Sequence, residues 1–179
     1  MEGHVPTLWN DRLPLWVAVS HKFGSMYDPF IALEIQQLGL AERLLLDLEQ
    51  RAIKIFVQQQ ATNEVGTDPY ALSELVAHSR LWIFGIYETL RTFRQKAGKT
   101  DSQVIALAEF FRRVELARIP LAKHEPKGMK KNDSIMEFPN TIFCRDQGWI
   151  GCNVRDPKSG EFTPLFRTEL ANRFLAAMA

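Results

Sequence analysis

The sequence predicts an α+β fold that is predominantly α: long antiparallel helices forming a bundle, then a small C-terminal antiparallel β-meander and a terminal helix. Three observations predict it. Two stretches of about thirty residues carry apolar side chains at alternating steps of three and four. Each of the two opens on an Asp-Pro pair, Asp28-Pro29 and Asp68-Pro69, where an aspartate caps and a proline fits the first helical position. Beyond residue 140 the pattern becomes short β-prone runs separated by turn residues.

Residues 1–27 read as an extended N-terminal arm. Pro6 and Pro14 break helix, and Trp9, Leu13, Leu15, Trp16 and Val17 are too apolar to leave in water, so the arm is expected to lie over the body, with a short strand near Leu15–Val19. The helical bundle is expected over 28–125. Its first helix runs from about Asp28 to Gln60 on a row of Ile31, Ile35, Leu38, Ala41, Leu45, Leu48, Ala52 and Ile55, with Gly39 a point where the helix bends or packs closely. The second runs from Asp68-Pro69 to about Lys96, with Gly98 as its cap. A third starts at Asp101 or Ser102 and reaches about Ala117, where Pro120 is expected to kink or end it.

Residues 126–140 hold Pro126, Gly128, Asn132, Asp133 and Pro139 with three lysines, and read as a solvated loop. Residues 141–179 then supply the β-meander and terminal helix packed on the bundle. Its strands are Thr141–Arg145, Trp149–Val154 and Phe162–Phe166. With a three-residue turn after Arg145, Cys144 and Cys152 would share one apolar face with Ile142 and Ile150. Thr168 is placed to cap the last helix. A sheet this small is marginal alone and must pack on something.

Composition narrows the functional classes. The chain has 179 residues, 46% of them hydrophobic, and a formal net charge of +1, which argues against wholesale disorder and against a global field for nucleic acid or membrane. Two cysteines cannot build a disulfide framework or a four-ligand zinc site. No run of about 18 apolar residues suggests a membrane span, and the first residues lack the pattern of a signal peptide, so a cytoplasmic protein without a membrane partner is expected. The histidines His4, His21, His78 and His124 have no ligand spacing, and no phosphate loop or cofactor motif is present; no metal or cofactor is expected.

Two positions stand out chemically. In the third helix the row Val104, Leu107, Phe111, Val114 continues by a step of four onto Arg118. A guanidinium on an apolar face needs an acceptor or an opening to water. It can snorkel at the helix end, or serve as an anion-binding arginine beside a cleft. In the second helix His78, Leu81, Gly85 and Glu88 form one row, and Gly85 costs about 1 kcal/mol against alanine unless a neighbour needs the space. Glu88 is the expected carboxylate partner of Arg118, or else a surface acid paired on its own helix. Around Arg118 the charge is strongly positive: ten Lys and Arg lie between Arg94 and Lys131 against four acids. Tyr87, Phe84, Phe110 and Phe111 read as core or interface rather than base-stacking platforms.

Long antiparallel helices followed by an arginine and, a few residues on, a histidine resemble the HEPN superfamily. The resemblance covers roughly residues 28–125. It implies an all-α core, dimerisation and, in active members, metal-independent RNA cleavage. Carried over, Arg118 matches the motif arginine and His124 the motif histidine, with Lys123, Lys127, Lys130 and Lys131 placed to hold phosphates and Glu88 in support. Active members commonly carry a polar residue next to the arginine, where this chain has Ile119 and Pro120, and many relatives are non-catalytic dimerisation modules. The expectation is therefore an RNA-associated protein, as a ribonuclease of stress or defence, with a non-catalytic dimerisation or protein-interaction module as the alternative. Apolar residues around much of the first two helices point to a homodimer in either case.

Overall fold

A computed structural model describes residues 9–62, 70–123, 141–144, 147–157 and 160–178. Its elements are α1 (Trp9–Met26), α2 (Pro29–Thr62), α3 (Ala71–Ala97), α4 (Ser102–Ala106), α5 (Ala108–Lys123), β1 (Thr141–Cys144), β2 (Trp149–Arg155), β3 (Phe162–Phe166) and α6 (Arg167–Met178). The expected class, a helical bundle with a small antiparallel sheet and a terminal helix, is the one observed.

Residues 9–26 depart from the expected arm and from the short strand expected near Leu15–Val19, while residues 1–8 lie outside the described residues. The extended arm is instead helix α1, with Pro14 inside it. Pro14 is the sixth residue of α1, so it forgoes the ladder bond to the Asn10 carbonyl, and the buried face of the helix offsets that loss. The buried side chains Arg12, Trp16, Val19 and Phe23 recur at steps of four and three, so α1 lays one face on the bundle. An arginine at the head of that row hides its periodicity. Trp16 packs flat on α2 at Gly39, where a Cβ would lie 2.8 Å from the indole Cγ.

Helix α2 begins as expected, with Asp28 Oδ1 accepting the Phe30 N–H at 2.7 Å. The α2 and α3 helices run antiparallel: Asp28 at the start of α2 pairs with Lys96 at the end of α3, and midway Trp82 Nε1 donates to the Leu38 carbonyl at 3.2 Å. Six of the eight residues of the expected α2 row, Ile31, Ile35, Leu38, Leu45, Leu48 and Ala52, are buried, and Ile55 is half-buried. Ala41 faces outward instead, and Glu42 and Glu49 are buried among that row.

The single third helix expected from Ser102 divides at Leu107 into α4 and α5. Asp101 caps α4, accepting from the backbone of Gln103 at 2.8 Å and Val104 at 3.3 Å. Pro120 does not end α5, which continues to Lys123; lacking an N–H, it forgoes the ladder bond to the Leu116 carbonyl without stopping the last turn.

The sheet has order β1-β2-β3, antiparallel throughout. Ile150, Cys152, Val154 and Leu165 face the helices and join one core with Phe93, Val114, Phe174 and Leu175. The expected shared face of the two cysteines is not formed. Thr141 pairs with Cys152 and Cys144 with Trp149, so the connection spans four residues and Cys144 and Ile142 point away from Cys152 and Ile150. Thr168 does not cap α6, which already begins at Arg167; its hydroxyl bonds Glu49 instead. No described helix is long and apolar enough to cross a membrane. The expected loop at 126–140 lies outside the described residues.

Candidate functional site

Arg118 sits one residue beyond the buried Ala117 on α5, with its side chain 27% exposed. The core takes the alanine, and the arginine lies along its edge. The buried stem carries Nε, which has no hydrogen-bond partner among the described residues, while the head reaches the face of α3. There its Nη2 stands 3.7 Å from Glu88 Oε1, and its guanidinium carbon lies 4.7 Å from the centre of the Tyr87 ring. Glu88 is thus the partner the sequence suggested. It is shared, because Arg91 Nε donates to its other oxygen at 2.6 Å.

Tyr87 is one rung of a ladder. Its ring stacks on Phe111 at 5.4 Å and 27°, and the Arg94 guanidinium carbon lies 4.2 Å from the centre of the Phe111 ring. Two stacked aromatic rings therefore link two guanidinium groups, Arg94 and Arg118. Each cation gains from the ring quadrupole. Tyr87 and Phe111 are packing partners of the two arginines.

Glu88 also borders a cleft between α2 and α3. The row His78, Leu81, Gly85 and Glu88 forms one wall, and Glu34, Leu38, Ala41, Leu44 and Leu45 the other, around about 430 Å³. Leu38 reaches over Gly85, where a Cβ would meet its Cδ2 at 2.9 Å. Leu44 and Leu81 on the cleft walls are exposed, as are Leu33 and Leu40 on helix α2. The floor is apolar and the rim carries two acids and a histidine.

Of the other residues singled out in the sequence, Lys123 is the last residue of α5, and nothing is described of its side chain. His124, Lys127, Lys130 and Lys131 lie outside the described residues. The structure brings Arg118 and Glu88 together; it does not bear on the approach of His124.

The sequence reading missed a second charged centre, wholly buried. Glu42 accepts from Arg12 twice, Nη2 at 2.6 Å and Nε at 2.9 Å, from Trp16 Nε1 at 2.5 Å and from Arg167 Nη1 at 3.0 Å. Arg167 also bonds Glu49 and Thr168, and Arg12 Nη1 reaches Asn172 Oδ1 at 2.7 Å. Two cations and two anions balance, and they join α1, α2 and α6. Both Glu42 oxygens and Glu49 Oε1 are taken by these donors, so the cluster ties the three helices together in the interior. The available signal was the step pattern: four residues from Leu38 and three before Leu45 is Glu42.

Other reactive groups are muted. Burial pushes the Cys152 thiol up to about 11, with Arg80 acting in the opposite direction, so it is a core side chain at neutral pH. Burial and then Asp101 raise the Tyr27 hydroxyl, which donates to that carboxylate at 3.0 Å. Among the described residues, no three His, Cys, Asp or Glu side chains converge as metal ligands would.

No family model, curated protein or solved structure matches this chain.

Proposed function

We propose that this is an RNA-associated protein of HEPN-like type, in which Arg118 contacts the phosphate at the reacting position. The observation that carries this reading is the setting of Arg118. It extends from the core edge, oriented by Tyr87 and Glu88, with its head partly open to solvent beside the α2–α3 cleft. A planar, permanently charged fork fixed on a ring suits charge developing on phosphorus oxygens. His124, a few residues on, acts as general base toward a 2′-hydroxyl, since an imidazole titrates near working pH. Lys123, Lys127, Lys130 and Lys131 hold the backbone, which makes binding fall with salt.

The test is incubation of wild type, Arg118→Ala and His124→Ala with structured and single-stranded RNA in the presence of chelator. The expected result is cleavage by the wild type and its loss in both variants, with melting temperatures preserved. Equal cleavage by all three identifies a contaminant and overturns the enzymatic form.

A second reading is favoured by a separate observation, the exposed Leu33, Leu40, Leu44 and Leu81 of α2 and α3. On this reading the chain is a non-catalytic homodimerisation module. Both readings expect a dimer, and sedimentation at micromolar concentration tests it; a monomer removes the second reading. RNA binding separates them, because the module alone has no need of it.

A further inference from the structure

Where α3 ends, a pocket of about 370 Å³ opens, lined by Arg91, Arg94, Gln95, Gly98, Lys99 and Phe111. We propose that this pocket is a phosphate-binding site. Resting on the RNA reading above, its phosphate belongs to the backbone of a strand whose neighbouring nucleotides reach Arg118.

Three cations and no acid line the pocket. Arg91 is compensated by Glu88 at 2.6 Å, whereas Arg94 and Lys99 form no ion pair among the described residues. This differs from the cations nearby. Lys96 pairs with Asp28, Arg112 with Glu109 and Asp156, and Arg113 and Arg173 with Glu169. A folded surface that matches those arginines and lysines with acids leaves Arg94 and Lys99 with uncompensated charge in a concavity.

The pocket is also shaped. Phe111 is buried and fixed by Tyr87, and it holds the Arg94 guanidinium against its ring at 4.2 Å. The fork is therefore oriented before a ligand arrives, which lowers the entropy lost on binding. Gly98, at φ +84°, reverses the chain as its N–H bonds the Arg94 carbonyl at 3.2 Å, which brings Lys99 to the same opening. Gln95 adds neutral amide hydrogens. Several convergent donors of this kind match the oxygens of a phosphate. The contacts from Arg94 through Phe111 and Tyr87 to Arg118 then place two ring-held guanidinium groups along α3 and α5, where one strand can meet both.

The experiment measures fluorescence anisotropy of a labelled single-stranded RNA against the full chain, across a salt series. It compares wild type, Arg94→Gln/Lys99→Gln and the charge-preserving Arg94→Lys. Inorganic phosphate and ADP are titrated separately by calorimetry. The expected result is a loss of RNA affinity of at least tenfold in the double variant. Its slope of log affinity against log salt becomes shallower by about 0.7 for each cation removed, while Arg94→Lys keeps the wild-type slope.

RNA bound equally by wild type and double variant overturns the pocket and leaves the RNA reading intact. Phosphate or ADP bound by the wild type, lost in the double variant, with RNA ignored by both, keeps the phosphate site with a free compound as its source and overturns the RNA reading. A wild type that binds none of these overturns both. Should the double variant fail to melt cooperatively, Lys99→Glu alone, at an exposed position, replaces it and is held to the same outcomes.

Discussion

Arg12 and Glu42 lie thirty residues apart in sequence and close a two-point ion pair in the interior, with neither side chain reaching solvent. Trp16 and Arg167 complete the shell of the Glu42 carboxylate. The value of such a pair is asymmetric. Its formation is offset by desolvation of both ions, but loss of one partner strands the other. Glu42→Leu removes the carboxylate that Arg12 meets at two points and one of the two that Arg167 meets. The expected loss is about 3–5 kcal/mol in urea unfolding. Arg12→Met together with Glu42→Leu is expected to cost less than the two single changes added, because it removes both ends of the pair.

Gly39 is where Trp16 lies against α2, and the helix interior offers no room for a side chain there. Gly39→Val drives a branched side chain into a fixed indole. Overpacking of this kind costs about 1–3 kcal/mol, read as a lowered midpoint in thermal melts. The same substitution also moves Trp16, so its fluorescence maximum is expected to shift in the folded protein.

These two sites show where local reasoning stops. The long helices, the sheet and the Arg118–Glu88 contact follow from steps of three and four, from turn residues and from the cost of a charge on an apolar row. The α1 helix and the buried ion cluster follow from the same periodicity, but Arg12, Glu42 and Glu49 occupy core positions with charged side chains. Only when α1, α2 and α6 meet do those charges cancel, and the partners of Glu42 come from 30 residues before it and 125 after it. Nothing near Glu42 in sequence names Arg167. The sheet register turned on one residue in the connection between β1 and β2, which exchanges the faces of Cys144 and Ile142. Arg118 was legible because its anomaly and its remedy both lie on adjacent, regularly spaced helices.

Cys152 makes stability depend on alkaline pH. Burial raises its thiol from 9.0 to about 11 in the folded chain. Below pH 9 both folded and unfolded chains carry the neutral thiol, and the contribution is constant. Between about 9 and 11 the unfolded chain gives up the proton and the folded one keeps it, so unfolding is favoured as pH rises. The expected loss is about 2–3 kcal/mol by pH 11. The check is the difference in unfolding free energy between wild type and Cys152→Val at pH 8 and pH 10.5, which subtracts the other groups that titrate there. The wild type is expected to lose more over that interval; parallel losses count against a buried thiol. In thiol labelling at pH 8, Cys144 is expected to react first.

Arg118 and Glu88 separate stability from function. A fully buried pair here would make Arg118→Ala a folding defect. The observed pair is 3.7 Å long and its side chains are 27% and 47% exposed, so the ionic part is worth about 1 kcal/mol or less. Stacking on Tyr87 adds a similar amount at a partly open site. Arg118→Ala is therefore expected to lower the unfolding free energy by no more than about 2 kcal/mol, and Glu88→Gln by less, because Arg91 remains on its own. Arg118→Lys keeps the charge but not the planar stack or fork. If Arg118 serves the phosphate, Arg118→Lys is expected to stay folded and still fail to restore RNA affinity to the wild-type value. If Arg118 only trims the α3–α5 edge, Arg118→Lys and Arg118→Ala bind RNA as the wild type does, and only their melting curves differ.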